Sequence, residues 1–335
     1  DRRKSYRILN RIIQTPKSVE YNFMYYLSGV VGGTFITLFP NAGIFDIRLL
    51  GVANNMITVY LVYRLLRKHI HVSAIIIGVL LVIISYVGLP MAFYNDLMTC
   101  LLYVLAVFYL FKGLRSNNNR WFIISGIIVA LNTFARIPNI LDYGIILLII
   151  LHKLYYKEST RRCAGRCLIF TLSFITGIIG IILLMKISGH YEYFIHNLHE
   201  LTSAAGDDSG TSSHTLSNMI FAQVRIYYLV FKFGAKILLL YAVLLLSLKY
   251  VRNALLQLSI RIITFIVLGT LFYRENAVII LCAFSLIGLA GNIFLNNDKA
   301  IKMLSWAGLS MILIVPLGSD GGMYNNGRIL FFMEK

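Results

Sequence analysis

One short segment at the edge of a hydrophobic run carries the residues best suited to chemistry. The stretch TFARIPNIL, residues 133–141, places Arg136, Pro138 and Asn139 between two apolar segments. A charged side chain beside the apolar core of a bilayer costs about 2.5–3.5 kcal/mol on insertion scales, so one that occurs there is a candidate for function. A guanidinium can bind a phosphate through two parallel hydrogen bonds, and a proline keeps the residue before it extended. The segment therefore predicts a rigid turn that holds an arginine for an anionic group.

Other polar residues end or begin apolar runs on the same predicted side of the membrane. Each also has a structural interpretation, as a helix cap, a snorkelling side chain or half of an internal ion pair. Asp96, for example, opens a predicted helix, where the helix dipole favours a carboxylate. Because so many converge on one side, we expect a site that binds a lipid phosphate or a sugar. Its predicted residues are Arg136, Asn139, Arg274, Arg225, Asp96 and Asp320.

The cysteines and histidines do not follow the spacing of a metal site. Cys163 and Cys167 lie in a basic segment, whereas Cys100 and Cys282 lie inside apolar runs. Neither a CxxC pair nor an HExxH motif is present, so free thiols and no metal ligands are predicted.

The net charge of +17 does not predict binding of nucleic acid. The lysines and arginines come in short clusters between apolar runs, such as those at 64–68, 112–120 and 153–166. This is the positive-inside pattern, in which basic loops face the cytoplasm and the anionic lipid headgroups. The charge therefore predicts topology, with membrane lipids as partners.

The elements that must position these residues are membrane-spanning helices. Apolar residues make up 58% of the chain and charged residues 13%, and the mean hydropathy is +0.76. These values predict an all-α, polytopic helical membrane protein with a single transmembrane domain over residues 1–335. No signal peptide is visible, and the chain is expected to be a fragment at both ends. The predicted spans are 44–66, 70–90, 96–113, 121–137, 139–154, 166–187, 235–250, 258–273, 276–295 and 301–317.

Two segments are expected to differ from the spans. Residues 188–234 are predicted to form an external loop, in which YEYFIHNLHELT is an amphipathic helix and AAGDDSGTSS is flexible. The stretch 21–40 has two interpretations. As a span it would put the basic N-terminal segment inside, and as an interfacial helix it would keep residues 1–43 outside.

The order of these features resembles the C-type polytopic membrane glycosyltransferases, the superfamily of protein O-mannosyltransferases and lipid A aminoarabinose transferases. The stretch FPNAGIFDIRLLGVANNMITVYLVYRLLRKH is similar to their second spanning helix. The next two stretches, MAFYNDLMTCLLYVLAVFYLFKGL and RWFIISGIIVALNTFARIPNIL, are similar to the helices that follow. With ARIPN and PLGSDGG as landmarks, the chain most resembles uncharacterised bacterial members of this superfamily.

The resemblance implies a fold of about 10–11 transmembrane helices plus one interfacial helix, in the cytoplasmic (inner) membrane of a bacterium. It also implies an enzyme that transfers a sugar from a polyprenyl-phosphate-linked donor to a glycan, lipid or protein acceptor on the outer face. An acidic residue of the first external loop would act as the base, which assigns that role to Asp1 or to a residue upstream of this chain. Many members also use a divalent cation. The resemblance favours the interfacial interpretation of 21–40.

Three other functions remain open. A transporter or flippase of lipid-linked glycans would carry charges in the middle of spans and an inverted repeat. A glycan polymerase would have a larger external loop with several arginines, whereas residues 188–234 hold only Arg225. A structural scaffold would follow if the chain lacks its catalytic loop.

Overall fold

The computed structural model describes residues 24–85, 93, 95–206, 216–274 and 277–314. This part of the chain is helical and contains no strand. The α-helices are α1 Tyr26–Leu38, α2 Ile44–Leu66, α3 Val72–Ser85, α4 Asn95–Ser116, α5 Asn119–Ala135, α6 Leu147–Tyr156, α7 Thr160–Ile187, α8 Tyr191–Gly206, α9 Leu216–Tyr250, α10 Ala254–Arg274, α11 Ala277–Leu295 and α12 Lys299–Ile314, and a 3-10 helix, Ile137–Ile146, precedes α6.

Many of these helices have the length and composition of membrane spans. A span needs about 20 apolar residues to cross a hydrocarbon core of about 30 Å. Within the described residues, six segments satisfy this and three shorter helices are also apolar. The prediction of an all-α polytopic membrane protein is therefore confirmed. The six segments are Ile44–Leu66, Asn95–Ser116, Ile137–Tyr156, Thr160–Ile187, Gln223–Tyr250 and Ala254–Tyr273.

Two of the predicted spans have different bounds in the structure. Helix α9 already begins at Leu216, whereas the span was predicted over 235–250. Arg225 and Lys232 are exposed on this helix, where long apolar stems let a charge remain beside an apolar helix. Residues 223–234 belong to this helix. That residues 188–234 lie outside the membrane stays a prediction. The predicted span 139–154 begins as the 3-10 helix, with Pro138 in its first turn.

Helix α1 is short and packs against the bundle. Its 13 residues extend about 20 Å at a rise of 1.5 Å per residue, which is less than the hydrocarbon core of a bilayer. Gly29, Gly32 and Gly33 are buried, so that the helix lies close to α4 and α5. This length fits the interfacial interpretation of the stretch 21–40, which stays a prediction.

The basic segments meet at one end of the bundle, which we call the basic end. His69, after α2, lies 2.6 Å from the Asp298 carboxylate before α12 (Nδ1 to Oδ2). Arg166 of α7 donates to Asn117, between α4 and α5, at 2.7 Å. These contacts bring segments that are distant in sequence together at the same end of the bundle.

Asp298 is held by a short chain of polar groups at the basic end. Arg115 contacts Nε2 of His69, and His69 contacts Asp298 through Nδ1. Burial by itself raises the pKa of Asp298, but the hydrogen bonds from His69 and from the backbone amides of Ala300 and Ile301 outweigh it and hold the pKa below its ordinary value. The carboxylate is therefore ionised at neutral pH and ties α12 to α2 and α4.

Helix α4 lies at the centre of the core. Its residues Tyr103, Val104, Val107 and Leu110 are almost fully buried. It packs against α2 and α5, and the Asn54 side chain of α2 donates to the Leu97 carbonyl at 2.8 Å. Because α4 is surrounded, any site at its ends is positioned by several neighbouring helices.

A buried ion pair joins the loops around α7 at the basic end. Arg166 donates to Glu158 at 2.6 Å and lies over the Phe122 ring, and both partners of the ion pair are nearly inaccessible to solvent. Arg162 reaches the other carboxylate oxygen at 3.4 Å but is mostly exposed. A buried charge without a partner costs free energy. The pair therefore favours the arrangement in which the loops that carry Glu158 and Asn117 lie against Arg166 of α7.

Helices α5 and α7 approach each other closely through small residues. A Cβ atom at Gly126 would lie 2.5 Å from the Phe170 carbonyl oxygen, and one at Gly177 would lie 2.6 Å from the Ala130 Cβ. Small residues allow this close packing, which is a main source of helix association inside membranes. The end of α5, which carries the turn at Arg136, is therefore fixed against α7.

We expect Gly177→Leu to destabilise the protein, because the added side chain must push α7 away from Ala130. Overpacking a tight contact typically costs about 1–3 kcal/mol. The matched control is Gly180→Leu, since a Cβ at Gly180 would meet no atom within 4 Å. Thermal unfolding of the purified proteins in detergent checks this, and equal melting temperatures of the two variants would contradict the assigned helix contact.

Candidate functional site

Five buried polar residues gather at the end of the bundle opposite the basic end. They come from the start of α4, the end of α5 and the 3-10 helix, and each is at least 94% buried. Such a concentration of polar groups is unusual in an apolar interior, where each polar atom needs a partner. We call Thr99, Asn132, Arg136, Asn139 and Asp142 the Arg136 cluster.

The local backbone explains why the cluster forms at this point. Arg136 ends α5 in an extended conformation, with φ −162° and ψ 122°. The extended residue is therefore Arg136 and not Ile137, the residue before the proline, because Ile137 already belongs to the 3-10 helix. Pro138 lies in the first turn of that helix, where its fixed φ fits and its missing N–H is not needed. The Asn139 backbone N–H donates to the Arg136 carbonyl at 2.9 Å, which closes the turn. The chain thus turns within three residues and keeps Arg136 and Asn139 together.

The Asn139 side chain connects the three elements. Its amide nitrogen Nδ2 lies 2.9 Å from the Thr99 hydroxyl, 3.1 Å from the Asn132 backbone carbonyl and 3.2 Å from the Asn132 side-chain oxygen. A single buried amide therefore holds the 3-10 helix to both α4 and α5. Any change that moves one of these elements would move the others.

Asp142 supplies the carboxyl group of the cluster. Asn132 donates to its Oδ2 at 2.7 Å, and Arg136 lies near enough for the two opposite charges to attract each other. In surroundings of low dielectric constant this attraction is much stronger than in water. The cluster therefore contains one buried cation and one carboxyl group near each other.

Two oxygens of the cluster have no hydrogen-bond partner among the described residues. They are Oδ1 of Asn139 and Oδ1 of Asp142, and both are buried. Asn95, at the start of α4, has a third oxygen of this kind. Because an unpaired buried acceptor is costly, these atoms are ready to accept hydrogen bonds from hydroxyl or amide donors.

A layer of aromatic residues lies beside the cluster. Phe134 of α5 packs against Phe194 of α8, with ring centroids 5.7 Å apart, and Tyr26 of α1 belongs to the same group. The Tyr26 hydroxyl lies 3.3 Å from Nδ1 of His190. Burial lowers the pKa of His190, so the ring is neutral at neutral pH and can accept this hydrogen bond. Helices α1 and α8 thereby cover one side of the Arg136 turn.

The structure brings some of the predicted site residues together and leaves others apart. Arg136 and Asn139 form the cluster, and Asp96 is half-buried in the first turn of α4, at the same end. Arg225 is exposed on α9, and Arg274 ends α10. The predictions for Asp1, Asp320 and the Arg274 side chain lie outside the residues that the structure describes.

Sequence reasoning missed two members of the cluster. Thr99 and Asn132 lie inside apolar helices, and neither has a charge or a motif that would single it out. A weak signal exists for Asn132, because an asparagine is expensive inside a span and lies seven residues before Asn139. Their importance follows from the hydrogen bonds that they make across helices.

The described residues contain no cluster of side chains that could bind a metal ion. In that part of the chain, no group of three or more His, Cys, Asp and Glu side chains lies close enough to hold an ion. The described residues therefore offer no complete ligand set for the divalent cation that the resemblance implies.

Comparison with known proteins supports the class of protein that the sequence and the fold indicate. Residues 31–185, which include all five members of the cluster, match the family model described as dolichyl-phosphate-mannose-protein mannosyltransferase. Neither the curated proteins nor the solved structures gave a match. The family match confirms the resemblance to the C-type membrane glycosyltransferases. Together with the apolar helices, it supports a multi-pass membrane glycosyltransferase of that type.

We expect Asn132→Leu to destabilise the protein, because it removes the donor to Asp142 and one acceptor of Asn139. Leaving a buried polar group unsatisfied costs about 1–3 kcal/mol. The control is Asn119→Leu in the exposed first turn of the same helix, where surface substitutions change stability by about 0.5 kcal/mol or less. Thermal unfolding in detergent measures both. A variant Asn132→Leu as stable as Asn119→Leu would show that the hydrogen bonds do not hold the cluster.

Proposed function

We propose that the protein transfers a sugar from a polyprenyl-phosphate-linked donor to a glycan, lipid or protein acceptor of the cell envelope, at the outer face of the bacterial cytoplasmic membrane. The observation that carries this proposal is the buried Arg136, which lies beside a network of asparagine and aspartate hydrogen bonds inside the segment that matches the mannosyltransferase family. The name of that family specifies mannose on dolichyl phosphate, which is a polyprenyl phosphate, and a protein acceptor.

Arg136 would bind the phosphate of the donor and stabilise it as it leaves. A guanidinium presents donors in a planar fork that matches two phosphate oxygens. Because Arg136 is already buried and its backbone is fixed by the Pro138 turn, little reorganisation is needed when charge develops on the departing phosphate. The apolar helices around the turn suit the isoprenoid chain of the donor.

The free acceptor atoms of the cluster would position the sugar. Oδ1 of Asn139 and Oδ1 of Asp142 can each accept a hydrogen bond from a sugar hydroxyl. Hydrogen bonds of this kind fix the orientation of the anomeric carbon relative to the bound phosphate. Arg274, Arg225, Asp96 and Asp320 remain proposed residues of the same site, to be tested after Arg136.

The reaction itself is a displacement at the anomeric carbon. The oxygen of the acceptor hydroxyl attacks this carbon, and its proton passes to a carboxylate. The bond between the carbon and the phosphate oxygen breaks, and polyprenyl phosphate leaves with the electron pair. We propose Asp1, or an acidic residue upstream of this chain, as the carboxylate that accepts the proton.

The outer-face location rests on the distribution of charge. The basic end gathers the arginines and lysines that the positive-inside rule places in the cytoplasm, and the Arg136 cluster lies at the other end. A donor carried on a polyprenyl phosphate would therefore bind from the outer leaflet.

We expect Arg136→Gln to weaken binding of a polyprenyl phosphate by about 10- to 100-fold. A hydrogen bond to a charged group contributes about 1.5–3 kcal/mol, and 1.4 kcal/mol is a factor of ten in affinity. Photocrosslinking of the purified protein with a photoreactive polyprenyl phosphate measures the affinity. Arg136→Lys should bind with intermediate affinity, because lysine keeps the positive charge but cannot donate the two parallel hydrogen bonds of a guanidinium.

The matched control for Arg136 is Lys186→Gln. Lys186 is an exposed cation near the end of α7, at the same end of the bundle, and it should not affect the crosslinking. If Arg136→Gln keeps its melting temperature and binds the analogue as well as Lys186→Gln does, Arg136 is not the phosphate-binding residue.

Thiol labelling in intact cells should find the Arg136 end of the bundle outside. After the four native cysteines have been replaced, Glu192→Cys on α8 should react with a membrane-impermeant reagent. Arg120→Cys, at the basic end, should react only after lysis. Both positions are exposed, so access depends on the side of the membrane. The reverse pattern would place the cluster in the inner leaflet and exclude transfer at the outer face.

A further inference from the structure

A second site lies at the basic end, far from the Arg136 cluster. The C-terminal parts of α2 and α4 enclose a cavity of about 400 Å³. Among the residues that the structure describes, no acidic side chain lines it. Five of its lining residues carry a positive charge: Arg64, Arg67, Lys68, Lys112 and Arg115.

Three of these cations contact a hydroxyl, an aromatic ring or an imidazole of the described residues. Arg64 donates to the Tyr60 hydroxyl at 2.7 Å, and the Lys112 ammonium lies 3.6 Å from the centre of the Trp121 ring. Arg115 contacts His69, which also binds Asp298. No ion pair in the described part of the chain joins a carboxylate directly to any of the five lining cations.

Helix dipoles do not account for so much charge. The C-terminal ends of α2 and α4 each present about half a negative charge, which attracts cations to the last turn. Two such ends offset about one unit, so that about four positive charges of the five remain. Because like charges repel, an anion bound between them would be favourable.

The inner wall of the cavity is apolar. Leu65 and Phe111 are buried, and Phe108 is half-buried. From Arg64, the side chains of Tyr60 and Met56 follow at intervals of four residues on the same face of α2, and both are exposed. The cations at the cavity suit a phosphate group. The apolar wall and the exposed strip along α2 suit a hydrocarbon chain attached to it.

We propose that this cavity binds the phosphate headgroup of an anionic phospholipid. The headgroup lies among the five cations, and an acyl chain runs along α2 over Tyr60 and Met56. Basic pockets between transmembrane helices are suited to such headgroups. The bound lipid stabilises the contact between α2 and α4 by mass action, because it binds the folded bundle. This inference does not depend on the proposed transfer of sugar.

The test uses the full chain purified in detergent, with phosphatidylglycerol or phosphatidylcholine added at the same mole ratio. Thermal unfolding measures stabilisation, and native mass spectrometry counts bound lipid. We expect phosphatidylglycerol to raise the melting temperature more than phosphatidylcholine and to show at least a tenfold preference in binding. The double variant Arg64→Gln/Arg67→Gln should lose most of this preference.

The matched control is Arg120→Gln/Arg161→Gln, which removes two exposed arginines at the same end and outside the cavity. It should keep the preference for phosphatidylglycerol. An equal loss in both double variants would mean that surface charge alone attracts the lipid, and an unchanged preference in Arg64→Gln/Arg67→Gln would remove the site. A parallel measurement of thermal unfolding uses inorganic phosphate in place of the lipid. If it stabilises the protein as much as the lipid does, the site binds free phosphate, and the proposal is wrong.

Lys112→Gln provides a second variant, for the case that the double variant does not fold. It removes one charge from the cavity wall on α4 while α2 stays intact. A preference for phosphatidylglycerol that falls by less than twofold in Lys112→Gln would also count against the cavity.

Discussion

Asn139 and Asn132 form the contact on which the candidate site depends. The Asn139 amide joins the 3-10 helix to the side chain and backbone of Asn132 and to Thr99. Water is scarce in such an interior, so a break between helices is tolerated only where protein groups satisfy the freed polar atoms. The network that satisfies the polar atoms at the Pro138 turn also binds the Asp142 carboxyl group, and backbone hydrogen bonds join Arg136 to Asn132 and Asn139. A substitution that breaks these hydrogen bonds would therefore be expected to lower the stability of the bundle and to disturb the candidate site.

The charged residues at the two ends of the bundle differ in burial and in proposed role. At the basic end, cations are numerous and mostly exposed, and they serve topology, loop contacts and the proposed lipid site. At the other end, the described residues include one buried arginine, Arg136, near a carboxyl group. A buried charge interacts far more strongly with a ligand than an exposed one does, because solvent screens it less. This difference favours the Arg136 cluster over the larger basic patch as the site of chemistry.

The alternative functions can be weighed against the same geometry. The charges of the Arg136 cluster lie where α5 ends and the 3-10 helix begins, whereas a flippase would need them along a pathway through the middle of the spans. Arg225 lies exposed on a helix rather than in a large arginine-rich loop, and this gives no support to a polymerase. The family match over residues 31–185 favours a glycosyltransferase over both.

The sequence by itself determined the class of fold, the positions of most spans and the turn at Arg136. Apolar length and the periodic basic clusters are local properties, and Pro138 acts on its immediate neighbours. Only the tertiary structure decided that Thr99 and Asn132 complete the cluster, that α9 begins at Leu216, and that the cations of α2 and α4 share one cavity. These features arise from packing between helices distant in the chain. A polar residue inside an apolar run shows no partner until the helices are assembled, and this is why sequence reasoning found Arg136 and missed the residues that hold it.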